Sequence, residues 1–173
     1  HLRTRRQRQM CIRDSKSLGA SAFEFGLYFS ITSVGYMAGN SINRSLGPRM
    51  GLDRAAFTGS LISVVAMSGL TVAGYTETAV QPVVSWFLFF YGLSNGLVIA
   101  NTIIGAVRAA GPHSGAATGL CGALQMGVSA VLGSLIIAFG GDSNFKLAIS
   151  ICWLMSAFGV ASAFLALESA PRR

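Results

Sequence analysis

The chain has 173 residues and a formal net charge of +7; 52% of its residues are hydrophobic and only 11% are charged. Soluble proteins usually contain about 25% charged residues, so this composition excludes an ordinary soluble domain. The first 16 residues hold six basic residues and one acid, so most of the net charge belongs to this segment.

The basic leader has several interpretations, because such segments serve as nucleic-acid arms, anionic-lipid patches or targeting signals. It lacks the interleaved aromatic residues of a nucleic-acid platform and the apolar core of a signal peptide. The run of residues 10–15, Met-Cys-Ile-Arg-Asp-Ser, resembles translated sequencing-adapter sequence. We therefore expect residues 1–15 to be foreign or disordered, with a membrane domain over residues 16–173 and no nucleic-acid partner.

Five stretches of the chain contain no Asp, Glu, Lys or Arg: residues 25–43, 55–76, 78–107, 109–141 and 147–167. A helix of roughly 20 apolar residues crosses a bilayer core of about 30 Å. A domain of this size has too little interior to bury five such helices. The sequence therefore predicts an all-α integral membrane protein with five spans, at about residues 23–43, 55–76, 82–107, 113–140 and 146–168.

The charges between the spans predict their orientation, since basic residues in short loops mark the cytoplasmic side. The loop over residues 43–54 contains Arg44, Arg49 and Arg54, and the next loop contains no basic residue. Over alternate loops and the C-terminus, six basic residues lie on one side and one on the other. We expect the first loop, the third loop and the C-terminus to be cytoplasmic. The basic leader then lies outside, which supports either a foreign leader or a missing span before residue 16.

Amide side chains occur in only three of the spans: Asn40 and Asn43 in the first, Asn95 and Asn101 in the third, and Gln125 in the fourth. At 100° per residue each group extends into a polar stripe on one helix face. The stripes contain Thr32, Ser33, Tyr36, Asn40 and Asn43; Tyr91, Ser94, Asn95, Val98, Asn101 and Thr102; and Ser114, Thr118, Cys121, Gln125 and Ser129. Two readings remain open: the polar groups join helices, or they line a shared cavity.

Glycine pairs with small-xxx-small spacing lie in the same three spans and predict close helix packing. They are Gly35 and Gly39, Gly92 and Gly96, and Gly115 and Gly119. Residues suited to catalysis or metal binding are sparse: the histidines are His1 and His113, and the three cysteines have no metal-type spacing. We expect no enzyme activity, no cofactor and no metal.

The segment from Phe25 to Phe29 and the run 43–49, Asn-Arg-Ser-Leu-Gly-Pro-Arg, resemble the eighth helix and following basic loop of the major facilitator superfamily. The run 112–120, Pro-His-Ser-Gly-Ala-Ala-Thr-Gly-Leu, with the glycines after it, looks like the start of that family's eleventh helix. The resemblance covers about residues 22–170 and points to the Bcr/CflA drug-efflux branch. Only an Arg-x-x-Gly-x-Arg skeleton of the family's basic loop signature is present.

The resemblance implies that the five spans are helices eight to twelve, an incomplete C-terminal six-helix half of the transporter fold. It implies export of amphipathic drugs in exchange for protons across a bacterial inner membrane, together with the missing N-terminal half of the same protein. Helices nine and twelve, the second and fifth spans, would face lipid.

By the same resemblance, the substrate pathway would comprise Tyr91, Ser94, Asn95, Asn101, Tyr36, Asn40 and Gln125. Arg44, Gly47 and Arg49 would form a cytoplasmic gate loop. The alternatives are a transporter of the same superfamily for another small solute, and a small membrane scaffold or subunit without a transport cycle.

Overall fold

The computed structural model describes residues 22–139 and 144–169. The predicted leader over residues 1–15, Arg172 and Arg173 lie outside these ranges. The described residues form five helices and one short 3-10 turn, without a strand. The helices are α1 (Ala22–Met50), α2 (Leu52–Tyr75), α3 (Gln81–Ala110), α4 (Ser114–Ala138) and α5 (Phe145–Ser169), and the 3-10 turn Gly111–His113 joins α3 to α4.

Three helical stretches are long and apolar enough to cross a membrane, which makes the chain a membrane protein by length and composition. They are Leu52–Tyr75, Phe145–Glu168 and the 57-residue run Pro82–Ala138. The long run includes α3, the 3-10 turn and α4, and therefore two of the five predicted spans. Helix α1 is not among the three, because its Ser, Thr, Tyr and Asn residues lower its mean hydropathy. The all-helical class is thus observed, and the count of five spans stays a prediction.

The first predicted loop is largely helical. Helix α1 continues through residues 43–50, and Gly51 alone separates it from α2. Pro48 lies in the last turn of α1, and its missing N–H leaves the carbonyl of Arg44 without the usual helical partner. Gly51 has a φ of 81°, a conformation that glycine adopts without the steric cost of a Cβ. The chain therefore reverses at a single residue rather than through a loop.

Helix α3 is the central helix of the bundle. It packs along α1 and along α2, and α2 also packs against α5. The buried apolar cluster comprises Met67, Leu70, Val84 and Ile149, one or two from each of α2, α3 and α5. Helix α4 has no buried residue, and its substantial contacts within the described ranges are with α3 and the 3-10 turn.

Large apolar side chains cover much of the outer surface of the bundle. Val65 of α2 is 70% exposed and Phe158 of α5 is 71% exposed, for example. In water such exposure on several helices would drive association, whereas in a bilayer it costs nothing. This outer surface is therefore suited to contact with lipid.

The two ends of the bundle differ in charge. At one end α1 meets α2 beside Arg44, Arg49 and Arg54. At the other end Lys146 Nζ lies 3.4 Å from Glu77 Oε1, which connects the start of α5 to the turn after α2. Helix α2 has 24 residues, or about 36 Å of rise, enough to separate the ends by a bilayer core.

Cysteine accessibility should place position 50 inside the cell and position 78 outside, because basic residues are retained on the cytoplasmic side. The measurement is labelling of Met50→Cys and Thr78→Cys by a membrane-impermeant maleimide in intact and lysed cells. Cys11, Cys121 and Cys152 are first replaced by Ala. Labelling of both positions from the same side contradicts the predicted orientation.

Candidate functional site

Helices α1 and α3 touch backbone to backbone at four glycines. Gly35 and Gly39 of α1 face α3, and Gly92 and Gly96 of α3 face α1. A Cβ added at any of the four would overlap a backbone carbonyl oxygen of the facing helix. Small residues allow this approach, which maximises van der Waals contact between helices in lipid. The crossing places the backbone of Thr32, Tyr36 and Asn40 directly against α3.

Gly115 and Gly119, the third predicted glycine pair, have a different environment. A Cβ added at either residue of α4 would meet no atom within 4 Å. The two glycines therefore form no helix contact within the described ranges. The same holds for Gly122 and Gly127 further along α4.

A cavity of about 150 Å³ lies between α2, α3 and α5. Its polar lining comes from Ser60 and Ser63, from Tyr91, Ser94 and Asn95, and from Ser156. Ser94 is only 1% exposed, and its hydroxyl donates to the carbonyl of Tyr91 at 2.7 Å. The hydroxyl of Tyr91 also interacts with the side chain of Asn95. The polar groups of α3 are thus partnered within their own helix.

A second cavity of about 350 Å³ lies between the same three helices, nearer the α1–α2 turn. It shares Ser60, Val98 and Gly159 with the first cavity. Asp53 and Asn101 contribute polar groups at its far end. The two cavities together form a crevice that runs from the middle of the bundle toward the basic end.

Asn101 is 3% exposed and connects α3 to α1. Its Nδ2 donates to Asn43 Oδ1 at 2.7 Å and to the carbonyl of Leu97 at 2.6 Å. A buried amide in lipid is stabilised by such a partner, because no water is present to replace it. This pair is a helix-joining contact rather than an open binding group.

Asn101→Leu should destabilise the bundle by about 1–2 kcal/mol, because it leaves the Asn43 amide without its donor. A double-mutant cycle with Asn43→Leu measures the coupling from thermal unfolding in detergent. Thr102→Leu is the matched control, since the Thr102 hydroxyl bonds only to carbonyls of its own helix. If the losses of stability from the two Asn substitutions are additive, the hydrogen bond between Asn43 and Asn101 is contradicted.

The seven predicted pathway residues lie in three different places. Tyr91, Ser94, Asn95 and Asn101 line the crevice between α2, α3 and α5, and Asn101 also pairs with α1. Tyr36 is 40% exposed on α1, and the Asn40 side chain donates to the Tyr36 carbonyl. Gln125 is exposed on α4. The seven side chains do not converge on one cavity.

Sequence reasoning missed the hydroxyl groups of α2 and α5. Three hydrogen bonds join these helices: Ser63 to Ser156 at 3.2 Å, Trp153 Nε1 to the Ser68 hydroxyl at 2.8 Å, and Tyr75 with Ser150 at 3.2 Å. The available signal was the three-residue spacing of Ser150, Trp153 and Ser156, which places them on one helix face. Part of both helices, expected to face lipid, thus faces the protein interior.

Two of the three predicted gate residues border a further cavity, of about 450 Å³. It lies where α1 ends, α2 begins and α3 ends. Arg44 and Gly47 line it together with Arg108, which sequence reasoning placed in the third loop without a role. Arg49 is not among the lining residues. The sequence signal for Arg108 was its position at the basic end, in the last turn of α3.

No family model matches the sequence, and no curated protein or solved structure matches the chain. Within residues 22–139 and 144–169, no three His, Cys, Asp or Glu side chains are close enough together to hold a metal ion.

Proposed function

We propose that the chain is part of a proton-coupled drug-efflux transporter of the major facilitator type, working by alternating access. The observation that carries the proposal is that polar side chains of three helices line a cavity between α2, α3 and α5. Polar side chains inside a membrane bundle are costly, and they commonly mark a solute pathway when they are not needed to join helices. Tyr91 and Asn95 meet this description, because both line the cavity and bond within α3.

The chemistry of the cavity is suited to an amphipathic solute. The Tyr91 ring offers an apolar face and a polar tip, and the Asn95 amide can donate and accept hydrogen bonds. The cavity of about 150 Å³ adjoins the second cavity of about 350 Å³, so the crevice reaches the roughly 300–1,000 Å³ of drug-sized sites. The proposal assigns this crevice to the solute and the contact with a second half of the transporter to α4.

Helix α4 supports the proposed second half. Its polar stripe includes Gln125, none of its residues is buried, and its substantial contacts with described elements are limited to α3 and the 3-10 turn. Its glycines leave room for a close helix neighbour. In transporters with two repeated halves, substrate sites lie between the halves, and access alternates as one half rocks against the other. The proposal assigns the exposed face of α4 to that contact.

The basic end of the bundle supplies the proposed cytoplasmic gate. Arg44 and Arg49 are exposed near the end of α1, where they can pair with carboxylates or helix C-termini of the second half. Glu77 and Glu168 lie near helix ends, and Asp53 lines the far end of the crevice. Following the family resemblance, the proposal places the proton-carrying group in the second half. Location in a bacterial inner membrane with a cytoplasmic C-terminus belongs to the same proposal.

In cells expressing the full reading frame, Asn95→Leu should lower drug export roughly tenfold. This factor corresponds to the loss of about one hydrogen bond between the Asn95 amide and the solute. Thr58→Leu is the matched control, because Thr58 lies on the same outer face of α2 as the exposed Leu61 and Val65. Export is measured as dye efflux at matched expression. Asn95→Gln, which keeps the amide, should retain more export than Asn95→Leu.

Equal losses in Asn95→Leu and Thr58→Leu would contradict a binding role for the cavity. Unchanged efflux together with a lower unfolding temperature would also contradict it. That second result would identify Asn95 as a helix-joining residue and favour a membrane scaffold.

A further inference from the structure

The cavity at the basic end of the bundle includes Arg44, which the transport proposal assigns to the gate, and Arg108, to which that proposal gives no role. It has a volume of about 450 Å³ and lies between the last turns of α1, the first residues of α2 and the last turns of α3. Arg44 and Arg108, which are 64 positions apart in sequence, both line it. The glycine crossing of α1 and α3 brings their two helices together.

The two guanidinium groups form no ion pair with a described residue. Within the described ranges the ion pair observed is Lys146 with Glu77, at the opposite end of the bundle. Asp53 is the carboxylate closest in sequence, but it lines the neighbouring cavity between α2, α3 and α5. Arginine presents a planar fork of N–H donors that matches the oxygens of phosphate. The cavity therefore has an excess of positive charge.

Neutral donors border the same cavity. Asn43 accepts from Asn101 through Oδ1, and its own Nδ2 has no partner among the described residues. Helix α2 begins beside the cavity with Gly51 as its N-cap. Glycine has no side chain that could accept a hydrogen bond from the free N–H groups of the first helical turn. The first hydrogen bond at this end joins Ala55 N–H to the Gly51 carbonyl, so the N–H groups of residues 52–54 are unpaired within the described chain. Such a helix end attracts anions.

We propose that this cavity binds a phosphate group, supplied by an anionic lipid headgroup or by free phosphate. Two arginines, an unpaired amide donor and an uncapped helix N-terminus surround one space, and all of them favour an anion with several acceptor oxygens. The cavity lies at an end of the bundle, the level at which lipid phosphates meet a spanning helix. The site does not depend on drug transport.

The test uses the full chain in maltoside micelles, which contain no phosphate, and follows the thermal unfolding midpoint. Phosphatidylglycerol, inorganic phosphate and oleate are titrated separately. Phosphatidylglycerol, inorganic phosphate or both should raise the midpoint. In Arg108→Gln and Arg44→Gln, half of the shift should require a roughly tenfold higher concentration.

Arg54→Gln is the matched control, because it removes one positive charge at the same end but does not line the cavity. In Arg54→Gln, half of the shift in the unfolding midpoint should require the same ligand concentration as in the unchanged chain. Arg108→Lys keeps the charge but loses the fork, so it should fall between Arg108→Gln and the unchanged chain. If a Gln variant fails to fold, the titration of Arg108→Lys still tests the proposal.

The outcomes distinguish the two sources. A shift with phosphatidylglycerol alone identifies a lipid headgroup, and a shift with millimolar inorganic phosphate identifies the free anion. An equal shift with oleate, an equal loss in Arg54→Gln, or no shift with either phosphate compound overturns the proposal.

Discussion

Gly92→Ala and Gly96→Ala are each expected to lower the free energy of unfolding by about 1–3 kcal/mol, the usual cost of overpacking. The added Cβ at position 92 would overlap the Thr32 carbonyl, and at position 96 the Tyr36 carbonyl. Backbone atoms cannot rotate away as a side chain can, so α1 and α3 must separate. Leucine at either position should prevent the two helices from docking.

Gly105→Ala is the control for this prediction. Gly105 lies in the same helix, but a Cβ there would meet nothing within 4 Å. Alanine should therefore be neutral or stabilising by about 0.5–1 kcal/mol, since it is the better helix former. Gly119→Ala in α4 should behave in the same way. The measurement is thermal unfolding in one detergent, and a similar destabilisation at positions 92 and 105 would contradict the crossing.

The second prediction with a large expected effect concerns transport by the 173-residue chain alone. The 173-residue chain alone, reconstituted into liposomes with an imposed pH gradient, is expected to move no ethidium above the level of empty liposomes. Alternating access needs two halves around one site, and the proposal assigns the exposed face of α4 to the second half. The same chain with its upstream coding sequence included should transport the dye.

Two measurements make a negative result informative. Circular dichroism must show the helical content of the purified chain, and Gly92→Ala must lower its unfolding temperature, which demonstrates that the reconstituted protein is folded. Gradient-dependent dye movement by the 173-residue chain, absent from empty liposomes, would contradict the proposal. That result would point to a small transporter that assembles from several copies.

The helices themselves were predictable from the sequence, because charge-free apolar runs in a chain this size become helices. Each predicted span overlaps one helix, and the largest difference is at the end of α1. Arg44 and Arg49 suggested a loop there, whereas the helix continues to Met50. Arginine is a good helix former, and a charge at the membrane boundary does not end a helix.

The polar stripe of α3 was visible in the sequence, but its partners were not. The stripe was read as one face, and its residues do line the two adjoining cavities between α2, α3 and α5, while Asn101 also bonds to Asn43 of α1. Several neighbouring helices could satisfy an amide equally well. The choice depends on which helices can approach closely, and that is decided by backbone shape.

By itself the sequence determined that this chain is helical, apolar and basic at one end, because these properties follow from the residues of each segment alone. Only the tertiary structure decided that Gly92 and Gly96 contact α1. Gly115 and Gly119 have the same spacing but contact no other helix within the described ranges. The tertiary structure also decided that Arg44 and Arg108 border one cavity. Packing depends on surfaces from distant segments meeting in three dimensions, and a local pattern contains no information about its partner.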